Sequence, residues 1–200
     1  MKSLPAVDAH HHIWRLNDLP WLSGPPVPRI FGPYQPICRD YPIAEYRSDI
    51  EGCGIVKSIY VQTNWPAGQS YDEARWVQSV ADLTGWPHAN VAHADLADPD
   101  AGSLLERLAA LAQCPNVNVK LSGLGTFVHA CRADVVGPIV TETVAMFGAD
   151  RCFYGSNFPI EKLWTDYATL YRTFRGAIAD LSEGEQAAIL HDTASRLYRI

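Results

Sequence analysis

The chain has 200 residues, 48% of them hydrophobic, which is enough for one globular domain with a substantial core. Its formal charge of −6 argues against a nucleic-acid or anionic-membrane surface, either of which wants a basic patch. No stretch reaches the length of a membrane span, the N-terminus lacks an apolar signal core, and Cys38, Cys53, Cys114, Cys131 and Cys152 are odd in number and scattered. Reduced thiols and a cytoplasmic location are therefore expected.

The first predicted strand, 6–12, contains Val7-Asp8-Ala9-His10-His11-His12-Ile13-Trp14. Alternation along a strand places Asp8, His10 and His12 on one face and Val7, Ala9 and His11 on the other. Two imidazoles two residues apart can reach one divalent ion, with the carboxylate behind to hold them. The apolar face can pack under helices. Seven prolines between Asn17 and Pro42 then predict a long irregular loop, of the kind that forms lids or binding walls. A short helix is expected over 46–52, led in by 43–46.

The β-branched run 55–62 predicts the second strand, ending in Gln62. Ala74, Val77, Val80 and Ala81 at helical spacing predict a helix over 71–84, broken by Gly85-Trp86-Pro87. Strands follow at 90–96, carrying His93 and Asp95, at 117–123, carrying Lys120, and at 152–157, ending in Ser156 and Asn157. Helices are expected over 100–112, 135–147, 164–179 and 183–196. Strand and helix in alternation imply parallel strands with right-handed crossovers, an α/β architecture whose chemistry sits at the carboxyl ends of the strands.

Each candidate has a plainer role beside the functional one. Lys120 shares a strand face with Asn118 and Ser122, opposite Val117, Val119 and Leu121, so it points inward. There it meets either an anionic substrate or an internal carboxylate such as Asp8 or Asp95. Gln62 and Asn64 either bond a substrate or tie down a loop. Trp14, Trp21, Tyr34 and Trp65 either wall a pocket or fill a satellite core. Arg15 either meets a substrate carboxylate or stays solvated, and His93 is either a third ligand or a core histidine. His129 and His191 read as structural.

The segments 7–14, Tyr60-Val61-Gln62, Ala94-Asp95-Leu96-Ala97-Asp98-Pro99, Lys120-Leu121-Ser122-Gly123-Leu124 and Gly155-Ser156-Asn157-Phe158-Pro159 together resemble the amidohydrolase-related metal-dependent hydrolases. The branch they are most similar to opens sugar lactones and pyrone dicarboxylates. The resemblance implies a (β/α)8, TIM-barrel-like fold, and this chain departs from it. Such barrels take about 250 residues, and only about five parallel strands are recognisable here, as in an incomplete barrel of a single domain. The break falls near 112–114, where three middle strands of the family's barrel, with a further histidine, are absent. Where many relatives carry a metal-binding or basic aspartate, this chain has Asn157, which cannot take a proton near neutral pH.

The resemblance implies His10 and His12 as ligands of a divalent metal, Zn²⁺ or Mn²⁺, in an incomplete site that can also be metal-free. It implies Asn157, Lys120 and Gln62 as the residues acting on a small-molecule substrate. The expected reaction is hydrolysis of the ester in a small carboxylated or sugar lactone ring. The alternatives are an aromatic-acid decarboxylase of the same superfamily, or a non-catalytic remnant that folds only by self-association. A homo-oligomer is compatible with either.

Overall fold

A computed structural model describes residues 4–66, 69–91, 118–126 and 128–200. Five parallel strands run through it: β1 (Ala6–His11), β2 (Ile55–Val61), β3 (Ala89–Val91), β4 (Val119–Leu121) and β5 (Cys152–Tyr154). β1, β2 and β3 form one sheet and β4 and β5 another. A parallel bridge between His11 and Phe158, with Asn157 N donating to His10 O at 2.6 Å and His12 N to Phe158 O at 2.7 Å, joins the two. The strands thus follow one another as β3-β2-β1-β5-β4, an incomplete barrel. Residues 92–117, which include His93, Asp95, the rest of the predicted third strand and the helix expected over 100–112, lie outside the described residues.

The helices match the pattern of apolar residues. They are α1 (Pro20–Ser23), α2 (Ile43–Asp49), α3 (Ser70–Thr84), α4 (Ala133–Phe147), α5 (Tyr167–Ala177), α6 (Glu183–Ala187) and α7 (Thr193–Tyr198). α3 stops where Gly85 takes a left-handed conformation, φ 75°, that favours glycine. α5 starts where the Asp166 side chain accepts from Thr169 N, and α6 starts on a Ser182–Glu185 capping box. α4 buries Val136, Val140, Val144 and Phe147 and packs on α5, which buries Tyr167, Leu170, Tyr171 and Phe174. No helix among the described residues is long and apolar enough to cross a membrane. Cys38, Cys53, Cys131 and Cys152 are free thiols.

Several boundaries differ from the sequence reading for local reasons. Pro42 serves as the N-cap of α2, so that helix begins at Ile43 and ends at Asp49 rather than occupying 46–52. The helix expected over 183–196 is interrupted by a π-helical segment at Ala188–Asp192. The proline-rich loop is less irregular than its composition suggests, since it holds α1 and is pinned at several points. Trp14 and Tyr41 exchange backbone hydrogen bonds at 3.0 Å, Trp14 Nε1 donates to Arg39 O at 2.7 Å, and Trp21 Nε1 donates to Thr63 O at 2.8 Å.

The core has two parts. Val7 and Ala9 of β1 pack with Ile59, Phe153 and Ala194, which places the apolar face of β1 under the C-terminal helical segment as expected. The larger cluster gathers α2, α4, α5 and the aromatic residues of the loop. Beyond β2, the buried Glu73 accepts at Oε1 from Tyr60 Oη, Thr63 N and Thr63 Oγ1 at 2.6, 2.6 and 2.9 Å, which ties α3 to the strand end.

A charged cluster fixes α2 to the turn after β5. Arg39 donates two hydrogen bonds of 2.6 Å to Glu45, and Lys162 Nζ donates to Glu45 at 2.8 Å and to Asp49 at 2.8 and 2.9 Å. The Arg39 hydrogen bonds, followed by Lys162, bring the Glu45 carboxyl down to about 2 from its ordinary 4.5. Folding therefore favours the ionised form. Its contribution is complete above pH 4.5 and is lost as pH falls toward about 2. Urea denaturation between pH 6 and 2 should show Glu45→Gln losing less stability on acidification than the wild type. Parallel losses would contradict the clamp.

Candidate functional site

β1 carries the site, and one carboxylate holds β1 in place. Asp8 is fully buried and accepts four hydrogen bonds: from His10 N at 3.0 Å and Ser156 N at 2.8 Å on Oδ1, and from Tyr46 Oη at 2.9 Å and Tyr167 Oη at 2.8 Å on Oδ2. Burial pushes its carboxyl up, while the hydrogen bonds from Ser156, His10 and Tyr167 pull it back. This corrects the expectation that Asp8 stands behind the imidazoles and bonds them. β1 slips register against β2 between Asp8 and His11, which breaks the simple alternation. His11 therefore stacks on Tyr46, ring centroids 3.8 Å apart, on the residue that also bonds Asp8.

His10 and His12 remain together, ring centroids 5.0 Å apart. His10 Nδ1 meets Ser122 Oγ at 2.6 Å, just beyond β4. His12 Nδ1 donates to Val61 O at 2.8 Å, and its Nε2 faces Asn157 Oδ1 at 3.3 Å. Burial, then the neighbouring histidines and Lys120, holds His10 far below the ordinary imidazole range. His11 is brought down to about 3 by burial and His12. Burial lowers His12 too, against the acceptors Val61 O and Asn157 Oδ1, which favour the protonated ring. These are neutral imidazoles near pH 7, suited to ligation and poor at taking protons.

Gly155 allows this close approach of β5 to β1. A Cβ there would fall 2.6 Å from His10 Cβ and 3.2 Å from Ser122 Cβ. Two residues later Asn157 adopts φ 58°, a left-handed conformation that asparagine tolerates better than most residues. Its Nδ2 donates to Thr126 Oγ1 at 3.4 Å, and Thr126 Oγ1 donates to Glu161 Oε1 at 3.0 Å. Trp164 Nε1 donates to the other oxygen of Glu161 at 2.8 Å. Glu161 is fully buried, and burial raises its carboxyl against the hydrogen bonds from Trp164, Thr126 and Asn157.

Lys120 is half-buried on β4. It lies close enough to disfavour protonation of His10 and His12, and Asp8 supports its charge against the lowering effect of burial. No hydrogen bond or ion pair engages its ammonium among the described residues. Gln62 spends its side-chain oxygen on Asn64 N at 2.6 Å, so that atom ties down the loop. Gln62 and Asn64 still line a cavity of about 150 Å³ beside His12, with Trp14, Trp21 and Arg29. A larger open hollow within the proline-rich loop has Arg29 as its only ionisable group besides a tyrosine, so of these two the cavity at His12 is the one that reaches a site histidine.

Other candidates fall outside this arrangement. Tyr34 packs on Trp21 and Phe31, and Trp65 on Trp76. Arg15 pairs with Asp18 and lies over Trp76. His129 bonds Ile30 O, and His191 pairs with Asp192. Glu161, Thr126 and Ser122 are the participants that sequence reasoning missed. The one available signal was a carboxylate four residues beyond Asn157 in an apolar run.

His10, His12 and the Asn157 oxygen fit a divalent ion in donor chemistry, since two neutral nitrogens and a carbonyl-type oxygen suit zinc or manganese. The set is short of acid ligands. Among the described residues, no group of three or more His, Cys, Asp or Glu side chains can hold a metal.

The amidohydrolase family model matches residues 100–200. Protein y4mH of Sinorhizobium fredii (strain NBRC 101917 / NGR234) is 25% identical over 297 residues, covering 100% of both chains. Among solved structures, an amidohydrolase from Burkholderia multivorans with bound zinc superposes with TM-score 0.76 at 19% identity, covering 98% of this chain and 99% of the other. A protein from Acinetobacter baumannii assigned as a 2-pyrone-4,6-dicarboxylic acid hydrolase, with citric acid bound, gives 0.61 at 12% identity, with coverage of 98% and 99%. At these identities the likeness is one of fold.

The Asp8 geometry makes a direct prediction. Asp8→Ala strands two backbone N–H groups and two phenols, each costing about 1–3 kcal/mol when buried without a partner. Chemical denaturation should show a loss of at least roughly 3 kcal/mol. A loss below about 1 kcal/mol would mean that these donors find other partners.

Proposed function

This chain belongs to the amidohydrolase family, and on that premise we propose that it hydrolyses the carbon–oxygen ester of a small lactone ring bearing carboxylates or sugar hydroxyls. One observation carries the reading: the neutral pair His10 and His12 meets Asn157 at the carboxyl ends of β1 and β5, beside a cavity walled by Trp14 and Trp21. Hydrolysis as the reaction class rests on the family. The lactone and the roles of individual residues are our inference.

Trp14 and Trp21 pack edge to face, ring centroids 6.4 Å apart, and give the cavity an aromatic wall against which a flat ring can lie. Arg29, whose guanidinium lies 5.3 Å from the Trp21 ring centre, lines the cavity, and Lys120, with no ion pair of its own among the described residues, stands by His10 and His12. Either can meet a substrate carboxylate, and the citric acid bound by the Acinetobacter baumannii protein is an anion of that kind. In the reaction a water oxygen bonds to the carbonyl carbon, the ring C–O bond breaks, and the ring oxygen takes the proton that water gives up, leaving a hydroxy acid. Asn157 and His12 can orient the attacking water by hydrogen bonds, but neither is suited to remove its proton. A divalent ion held by His10 and His12, when bound, lowers the pKa of its water toward about 7 and polarises the carbonyl.

We also infer that the chain lacks internal strands that its relatives carry. The alignment with y4mH runs over 297 residues, against the 200 of this chain.

The test is a turnover assay with zinc or manganese supplied, against a carboxylated lactone, a sugar lactone and an aromatic acid. Ring opening should fall about 100-fold or more in His12→Ala. Lys120→Met should raise KM for the carboxylated lactone by roughly 10-fold, as expected for a lost charge-assisted contact, and affect the sugar lactone less. Release of CO2 from the aromatic acid without ring opening would replace this reading with a decarboxylase. No turnover of any of the three would reject both.

A further inference from the structure

The hydrogen bonds running from Val61 to Glu161 have fixed directions at both ends. The Val61 carbonyl only accepts, so His12 carries its proton on Nδ1, and neutral His12 presents a bare lone pair at Nε2. At the far end Trp164 Nε1 only donates, and it occupies Glu161 Oε2. An ionised Glu161 therefore takes the hydroxyl proton of Thr126 on Oε1. Thr126 Oγ1, its proton committed, is left to accept from Asn157 Nδ2. Asn157 then turns Oδ1 toward His12 Nε2 at 3.3 Å, two acceptors with no hydrogen between them. Rotating the amide moves the mismatch to Thr126 without removing it. With Glu161 ionised and His12 neutral, the chain is one hydrogen short.

We propose that Glu161 is a positioning residue that, through Thr126, turns the Asn157 carbonyl oxygen toward His12 and so gathers two lone pairs where a divalent cation binds. Glu161 is fully buried and does not line the cavity, so it acts only through its neighbours. The backbone is shaped around the relay. A Cβ on Gly125 would fall 2.8 Å from Glu161 Oε2 and 2.9 Å from Trp164 Nε1, and one on Gly123 would fall 3.2 Å from Thr126 Oγ1. This rests on the reading of His10 and His12 as an ion site only where zinc binding is concerned.

Glu161→Gln tests the idea because it keeps the shape and reverses the polarity. The Trp164 N–H holds the glutamine oxygen, so the new NH2 group donates to Thr126. Thr126 then donates to Asn157 Oδ1, and Nδ2 swings to His12 Nε2. Two readouts follow: the side-chain ¹⁵N shifts of His12 by NMR without metal, and the affinity for zinc alone by calorimetry. We expect Nε2 to change from a bare to a hydrogen-bonded nitrogen in Glu161→Gln. Zinc affinity should fall roughly 10- to 100-fold, as for other groups that orient metal ligands. Asn157→Asp has no amide orientation to lose, so zinc binding by the Asn157→Asp/Glu161→Gln double variant should stay within about threefold of Asn157→Asp alone, on that same scale.

Thr126→Val, which removes the hydroxyl between Glu161 and Asn157, should also change the His12 signal, and it serves should Glu161→Gln fail to fold. Unchanged His12 shifts in the folded variants would overturn the proposal. So would an equal loss of zinc affinity with and without Asn157→Asp. If the wild type takes up no zinc while the His12 shifts change as expected, the ion-site reading fails and the positioning role of Glu161 stands.

Discussion

The Asp8 carboxylate is the constraint on which the rest of the site depends. Its two oxygens collect donors from four separate pieces of the fold: its own strand, the turn after β5, α2 and α5. None of these donors can be left unpaired in a buried site without a cost comparable to a large part of a domain's stability. The carboxylate therefore fixes β1 against β5 at one spacing. Everything of chemical interest hangs from that seam: the bonds from Asn157 N and Ser156 Oγ to His10 O, the bond from His12 N to Phe158 O, and the glycine at 155 that lets the strands close.

Above the seam the electrostatics are arranged by subtraction. Burial and the nearby Lys120 remove the protons from His10 and His12, leaving lone pairs rather than charges. Asn157 offers an oxygen and no base. What remains is a cluster of neutral acceptors beside a half-buried cation. Such a cluster attracts a metal ion or an oriented water and has little capacity for proton transfer on its own. The proposed hydrolysis would therefore depend on activating water by charge rather than by a side-chain base.

Much of this was legible in the sequence where one element decides the outcome. The spacing of His10 and His12 survives because adjacent turns of the pleat keep them together, and the apolar Val7 and Ala9 find their helix. The parallel strand order and α3, α4 and α5 follow from periodicities that tertiary packing reinforces. The placement of Asp8 failed because a register slip is set by the partner strand, which no alternation rule sees. Glu161 escaped notice because a carboxylate in a turn usually faces water. Here Trp164 and Thr126, close in space but carrying no motif, draw it inside. Gln62 was ambiguous for a plain reason: the same amide can serve a substrate and a loop, and its oxygen serves the loop.

The most direct test of the account is the metal content of the purified chain, measured by elemental analysis together with its mass in solution. The account predicts about one zinc or manganese per chain, stripped by a chelator and missing from a folded His10→Ala variant, a stoichiometry set by one divalent ion per histidine pair. A folded wild-type protein that is free of metal, and that opens lactone rings at the same rate with chelator present, would contradict it.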